Sequence, residues 1–431
     1  MDYALRVLLG GDSVELLQCR KVLYQRPHDG LAADAGLYVV PSGFWGETYA
    51  TRASLPRLPL QEIQGVPILF GTPHIRRVGD ALVIDADIIA STFFLVTRYE
   101  EIVRRDVRDE HGRFPGKESL PYRAGFLHRP IVEEYAGLLR KWLREIGIEC
   151  RGRTEPLRVL LTHDVDNLRE YPNRLRCLAG ALKSRLLGRR TSSHALSVAL
   201  ALGKDPLDTF DQIIASDVSL RPDLAGVPSE SVYFFMAADR GSPRCGYDVR
   251  SSPARTTIKT VCQSGATVGL HASYAAGMDP ELISKEKARL EEVCGFPIRR
   301  NRHHYLAWRE VEDGWALARA GIDWDSTLGY ADAAGFRLGV CHPIPLFDPI
   351  RMRLFGIEEH PLVVMDGTLS DPRYMGLGET EATVCCKRLL DETRQFEGEF
   401  VVLWHNSSFR SRPGSYLQRL YVRLLAELAS G

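Results

Sequence analysis

Short apolar runs separated by turn-forming residues mark this chain from one end to the other. In residues 1–152 the runs are Leu5–Leu9, Leu37–Val40, Ile68–Phe70 and Leu82–Ile84, which predict strands between Pro- and Gly-rich turns. Ser91–Ile102 predicts a helix with Phe94, Val96 and Ile102 buried and Arg98, Glu100 and Glu101 facing outward. His111–Pro130 predicts an irregular loop. Ile131–Ile146 puts Val132, Tyr135, Leu138, Leu139, Trp142, Leu143 and Ile146 on one stripe, the spacing of an amphipathic helix. Gly147 and the polar run Arg151–Glu155 end that helix, so a domain boundary is expected there. A smaller accessory α/β domain over 1–152 would then precede a second domain over 153–431.

Beyond Pro156 the pattern changes to strand–helix alternation. Buried strands are predicted at Leu157–Leu161, Val232–Ala237, Thr267–Leu270, Ile322–Trp324, Leu362–Met365 and Phe400–Trp404. A last helix places Leu417, Leu420, Tyr421, Leu424, Leu425 and Leu428 on one face. Alternating units imply parallel strands, and roughly 270 residues of them suit a (β/α) barrel. Residues 173–226 fit this rhythm poorly and read as an insertion. Its basic cluster Lys183, Arg185, Arg189 and Arg190 reads as a solvated face.

Composition narrows the class. With 431 residues, 45% of them hydrophobic and 26% charged, the chain reads as an ordinary globular protein of two domains. Lys+Arg and Asp+Glu number 55 each, so no overall field draws it to nucleic acid. No apolar segment approaches the ~20 residues of a membrane span. The start, MDYALRVLLGGDSVE, reads as a first strand and not as a signal peptide. The 9 cysteines are scattered without a CxxC pair, apart from the vicinal Cys385–Cys386. Neither a disulfide framework nor a structural zinc site fits them, and a cytoplasmic location is expected. The sequon at Asn406 then has no meaning for glycosylation.

Chemistry gathers where the strands stop. The run Leu157–Leu161 ends in Thr162, His163, Asp164 and Asp166. Two aspartates beside a histidine can share a divalent metal or divide into ligand and general base; they can equally cap a helix. Thr267–Leu270 ends in His271, Ile322–Trp324 in Asp325, and Phe400–Trp404 in His405, while RRNRHHYLAW brings Arg302, His303 and His304. Functional side chains from several strands at one end are the pattern of a barrel active site. Taken singly, His271 reads as a core histidine, Arg302 as half of an ion pair with Asp325, and His405 as a strand cap. His163 reads as structural. Trp308, Trp324 and Tyr330 are aromatic enough to platform a sugar ring but fit core equally, and His360, Asp366 and Tyr374 fall near the last strands.

The segments LLTHDVD, VGLHASY, NRHHYLAW, DWDSTLGY and VVLWHNS resemble, in order, the five motifs of the polysaccharide deacetylases, the fourth carbohydrate-esterase family. The likeness is to a divergent branch reading T-H-D-V-D in the first motif, with an N-terminal domain of unknown role. FFLVTRYEE and HGRFPGKESLPYRAGFLHRP resemble that domain. The resemblance implies a distorted (β/α) barrel and a divalent metal, commonly zinc, used to remove an acetyl group from an amino sugar. By position it implies Asp164 as general base, Arg302 orienting it, Asp325 as the fourth-motif aspartate and His405 as proton donor to the leaving amine. It also implies His271 as a metal ligand. Val165 stands at the family's metal aspartate and Ala275 at its second metal histidine. Asp166 and His304 are therefore expected to complete the set. The expected activity is de-N-acetylation of an N-acetylated sugar or oligosaccharide, as a cytoplasmic intermediate of polysaccharide biosynthesis. Another amide or an ester is a variant of it. The competing expectation is a degenerate barrel that serves as a sugar-binding or assembly module.

Overall fold

The computed structural model describes residues 1–10, 21–26, 36–150, 152, 155–170, 205–220, 228–239, 241–410 and 415–429. Asp2–Leu9 is a helix, where the apolar run predicts a strand. Tyr3, Ala4, Val7 and Leu8 share one face and pack against the helices Ile88–Val96 and Ile131–Glu145. A short apolar run does not by itself choose between the two structures.

The first half holds strands β1 (Val22–Tyr24), β2 (Leu37–Val39), β3 (Gln61–Ile63), β4 (Val66–Ile68), β5 (Gly71–Val78) and β6 (Ala81–Ala86). β1, β2 and β6 run parallel, with β5 antiparallel on β6. β3 and β4 form a separate hairpin. The expected strand Ile68–Phe70 is only the end of β4, because the chain leaves the hairpin there to enter β5.

Two helices, Ile88–Val96 and Tyr99–Val103, replace the single one expected over Ser91–Ile102. The break falls at Arg98, whose φ of 53° no α-helix accepts. Arg98, Glu100 and Glu101, expected to face outward, are buried. Arg337 bonds both carboxylate oxygens of Glu101, at 3.0 and 2.6 Å. Glu100 is bonded by Arg104 and Arg123, and Arg98 lies 3.8 Å from Glu310. Helical periodicity records apolar positions and is blind to charges neutralised by a distant partner.

Glu310 is buried beside Glu101, and burial followed by that neighbouring charge pushes its pKa up to about 8. The raised folded pKa gives stability that is full below the ordinary value of 4.5 and is lost as pH rises towards 8. Glu310→Gln is therefore expected to flatten this dependence. Between about pH 5 and 8 the wild-type melting temperature should fall on the order of 5 °C further than the variant's. Parallel melting curves would refute the assignment.

The second half is built on β7 (Arg158–Val165), β8 (Ser229–Phe235), β9 (Thr267–Ala272), β10 (Arg300–His303), β11 (Trp324–Asp325), β12 (Ile344–Asp348), β13 (Arg353–Glu359), β14 (Val364–Met365) and β15 (Glu399–Leu403). Their order is β12-β13-β11-β10-β9-β8-β7-β15-β14, parallel except for the antiparallel pair β12 and β13. Phe234 of β8 and Trp324 of β11 lie 6.0 Å apart although β9 and β10 run between them. In a flat sheet those strands would stand ~14 Å apart. The sheet is thus curled into an open half-barrel of mixed α/β class. The all-parallel expectation fails at the β12–β13 edge, whose hairpin the strand–helix rhythm does not reveal.

Helices Ser252–Gln263, Leu282–Cys294, Glu312–Arg319, Glu379–Gln395 and Leu417–Ala429 belong to the same half. The expected insertion over 173–226, with its basic cluster, lies largely outside the described residues, though Phe210–Val218 within it is a helix. One apolar core runs through both halves. At their junction Tyr3 stacks on Phe347 at 4.5 Å and donates to the Pro345 carbonyl. Among the described residues no helix is long and apolar enough to cross a membrane.

Candidate active site

β7 is longer than its apolar run. It continues through Val165, paired along its length with β8. Side chains alternate between the two faces of a strand. Leu160 therefore joins the inner cluster with Val232, Phe234, Trp324 and Leu403, while Val159, Leu161 and Val165 join the outer core. Thr162, Asp164 and Asp166 share the parity of Leu160. Val165 is thereby committed to the outer layer, and Asp166 reaches the concave side.

His271 on β9 donates Nδ1–H to the Arg302 carbonyl at 2.9 Å, which turns Nε2 towards the two aspartates. That nitrogen lies 3.3 Å from Asp166 Oδ1 and 3.6 Å from Asp164 Oδ2. His304 Nε2 lies 3.5 Å from the same Asp166 oxygen. Ligand atoms of Asp166, His271 and His304 all fall within 4.8 Å of one another. Neither His271 Nε2 nor Asp166 Oδ1 has a hydrogen-bond partner among the described residues, although both are buried. Polar atoms converging in a buried space are satisfied by a positive charge between them, a proton or a metal ion.

The electrostatics favour that charge. Burial opposes a proton on His271, but the Asp164 and Asp166 carboxylates outweigh it and raise its pKa. Burial likewise opposes the Asp166 charge. The neighbouring His271 and the His405 charge outweigh it and hold the carboxyl far below its usual range. Burial pushes His304 down to about 3, so its imidazole is neutral. One carboxylate and two imidazoles are a donor set suited to a zinc-like divalent ion, and these residues fit such an ion.

Arg302 of β10 is fully buried and organises the floor. It donates from Nη1 to Thr162 Oγ1 at 2.6 Å and to Asp164 Oδ1 at 3.3 Å, and from Nε to the Ser326 carbonyl at 2.7 Å. At the end of β15, His405 Nδ1 lies 2.7 Å from Asp366 Oδ1, and its Nε2 lies 3.7 Å from Asp166 Oδ2. Burial works against the His405 charge. Asp366 foremost, then Asp166 and Asp164, overcomes it and lifts the pKa to about 10. The backbone N–H of His405 and the Ser408 hydroxyl also donate to Asp366, so this carboxylate fixes the ring.

The structure thus brings together Asp164, Asp166, His271, Arg302, His304 and His405. It does not bring Asp325 among them. Asp325 pairs in register with Asn301, on the opposite face from Trp324, and accepts from Asn301 Nδ2 at 2.7 Å and from Thr327. The expected Arg302–Asp325 pair is replaced by Arg302–Asp164. His163 is tied to the Trp404 carbonyl and Asp217, and His303 to Asn301. Trp308, Trp324 and Tyr330 are buried at 2%, 9% and 6% exposure, too covered to platform a sugar ring. His360 bonds Glu399, and Tyr374 accepts from Arg113. Asp366 is the residue whose part the sequence understates. It stands at the end of β14, beside β15, in the same strand-end position as the others.

A second group able to hold a metal, Glu133, Cys341 and His342, is buried between the halves, with His342 Nδ1 2.9 Å from Glu133.

Residues 40–147 match the model of a family of unknown function, DUF7033. No curated protein matches the chain. A solved structure described as a "putative polysaccharide deacetylase" from Mycobacterium smegmatis is similar at 16% identity and a TM-score of 0.40, over 64% of this chain and 85% of that one.

Proposed function

We propose that this protein is a metal-dependent hydrolase that removes the acetyl group from an N-acetylated sugar, a cytoplasmic intermediate of polysaccharide biosynthesis. The observation that carries the reading is the pair of unpartnered atoms, His271 Nε2 and Asp166 Oδ1, facing each other at 3.3 Å beside the His304 imidazole. Asp166, His271 and His304 would hold the ion, which when bound lowers the pKa of water and polarises a carbonyl. Asp164 takes a proton from the attacking water, and Arg302 holds that carboxylate in place. His405, kept protonated by Asp366, delivers its proton to the departing nitrogen. Asp325 acts only through Asn301, as a support for the strand that bears Arg302. The motif resemblance and the convergence of these groups on one concave face support the same chemistry.

Elemental analysis of protein purified without chelator, together with acetate release from N-acetylated sugars, tests this reading. Wild type is expected to hold one divalent ion per chain. His271→Ala and His304→Ala should each weaken its binding by more than the ~10–100-fold typical of an outer-shell partner. Metal content unchanged in His271→Ala would overturn the site. Metal-free wild type that still bound sugar would favour the binding-module reading.

A further inference from the structure

Arg244 is exposed at the rim of this site, and its surroundings are unusual for a surface arginine. The guanidinium carbon lies 4.6 Å from the ring centre of Tyr274 and 4.9 Å from that of Tyr305. Its Nη1–H points to His111 Nδ1 at 3.5 Å. Among the described residues no carboxylate lies within ion-pair distance of it. Two aromatic faces and an imidazole restrict the guanidinium while leaving its charge available to a ligand.

The clamp joins both halves of the molecule and touches the metal-ligand group. The Tyr305 ring packs 4.3 Å from that of His304 and 4.5 Å from that of His111. Tyr305 has a left-handed φ of 63°, and its carbonyl accepts from Arg113 Nη1 at 2.9 Å. Two nearby acids leave the Arg244 charge uncancelled. Asp109 is occupied by Arg113, and the exposed Glu110 lies 3.5 Å from His111 Nε2. Burial foremost, then Arg113 and Arg244 against Asp109 and Glu110, lowers the His111 pKa.

We propose that Arg244, held by Tyr274, Tyr305 and His111, is an anion subsite that selects substrates bearing a carboxylate or phosphate on or beside the N-acetylated sugar. The inference rests on the hydrolase reading above and adds the substrate's charge. A guanidinium fork meets either oxyanion with paired hydrogen bonds, so the geometry specifies an oxyanion in common to both sources.

Calorimetry on the full chain separates them. The probes are N-acetylglucosamine, its 1-phosphate, and 2-acetamido-2-deoxyglucuronic acid. At least one anionic sugar is expected to bind about tenfold or more tightly than the neutral one. The tighter of the two anionic arms identifies phosphate or carboxylate. Arg244→Gln should abolish the preference, Arg244→Lys should retain part of it, and added salt should narrow it. Equal affinities in wild type, an intact preference in Arg244→Gln, or no binding of either anionic sugar would each overturn the proposal. Acetate release measured in parallel tells the two failures apart. Charge-dependent binding without acetate leaves the subsite standing and removes the hydrolase. Acetate released from neutral and anionic sugars with equal affinity does the reverse.

Discussion

Exchanging Asp164 for asparagine or His405 for alanine is expected to lower kcat for acetate release by about 10²–10⁴-fold, with KM little changed. Each residue is assigned a proton transfer that occurs in the transition state, so its loss should spare ground-state binding. The surroundings make the two substitutions informative. Asp164 keeps the Arg302 and Thr162 network around it, and asparagine retains its shape and an oxygen for Arg302. His405 lies at the end of β15, outside the packed layers, and Asp366 keeps its bonds to the backbone N–H of residue 405 and to Ser408 in the alanine variant. Both variants should therefore fold. Asp166→Asn should behave differently, losing metal together with rate. Steady-state kinetics with metal content measured on the same samples checks all three. Equal turnover in wild type and Asp164→Asn would remove the general-base assignment.

The second large effect is structural. Arg337→Met is expected to cost ~3–5 kcal/mol of stability, because it strands the buried Glu101 carboxylate without its bidentate partner. Arg337 also donates to the Gly329 carbonyl at 2.9 Å and covers the Tyr330 ring at 4.9 Å, so its methionine replacement keeps some packing but no charge. Exchanging both partners, in Glu101→Gln with Arg337→Met, should recover part of the loss, since no buried carboxylate then remains unpaired. Urea denaturation of the two single variants and the double variant measures this. A single variant within ~1 kcal/mol of wild type would show that the pair is hydrated and not buried.

The strands with apolar interiors, β7, β8, β9 and β15, can be read from the sequence because hydrophobic runs announce them. Their chemistry is legible for the complementary reason that polar residues break those runs at the same end. β10 is not legible, since Arg300–His303 contains no apolar residue and is satisfied by Ser326, Thr327 and Asp325 from the next segment. Asp325 shows the limit of motif likeness. Its neighbour Trp324 belongs to the inner cluster, so strand alternation alone places Asp325 on the other face. The same alternation explains why Asp166, and not Val165, reaches the ligand group. Arg98 and Glu101 look like solvent-facing charges because their partners, Glu310 and Arg337, are assigned only by tertiary packing. Arg244 gives no signal at all, because its aromatic clamp is assembled from His111, Tyr274 and Tyr305 in three separate segments.

The ionic junction between the halves has a consequence for the order in which the protein is made. During synthesis Arg98 and Glu101 leave the ribosome well before Glu310 and Arg337 exist. A docking face of apolar side chains would wait through that interval as an adhesive surface, the usual route to misassembly of nascent chains. A face with charges at this position waits hydrated instead, at little cost, and Glu101 gives up its water only when the Arg337 guanidinium arrives. The junction therefore discriminates against wrong partners while the chain is incomplete, since any surface that cannot neutralise Glu101 pays for its desolvation.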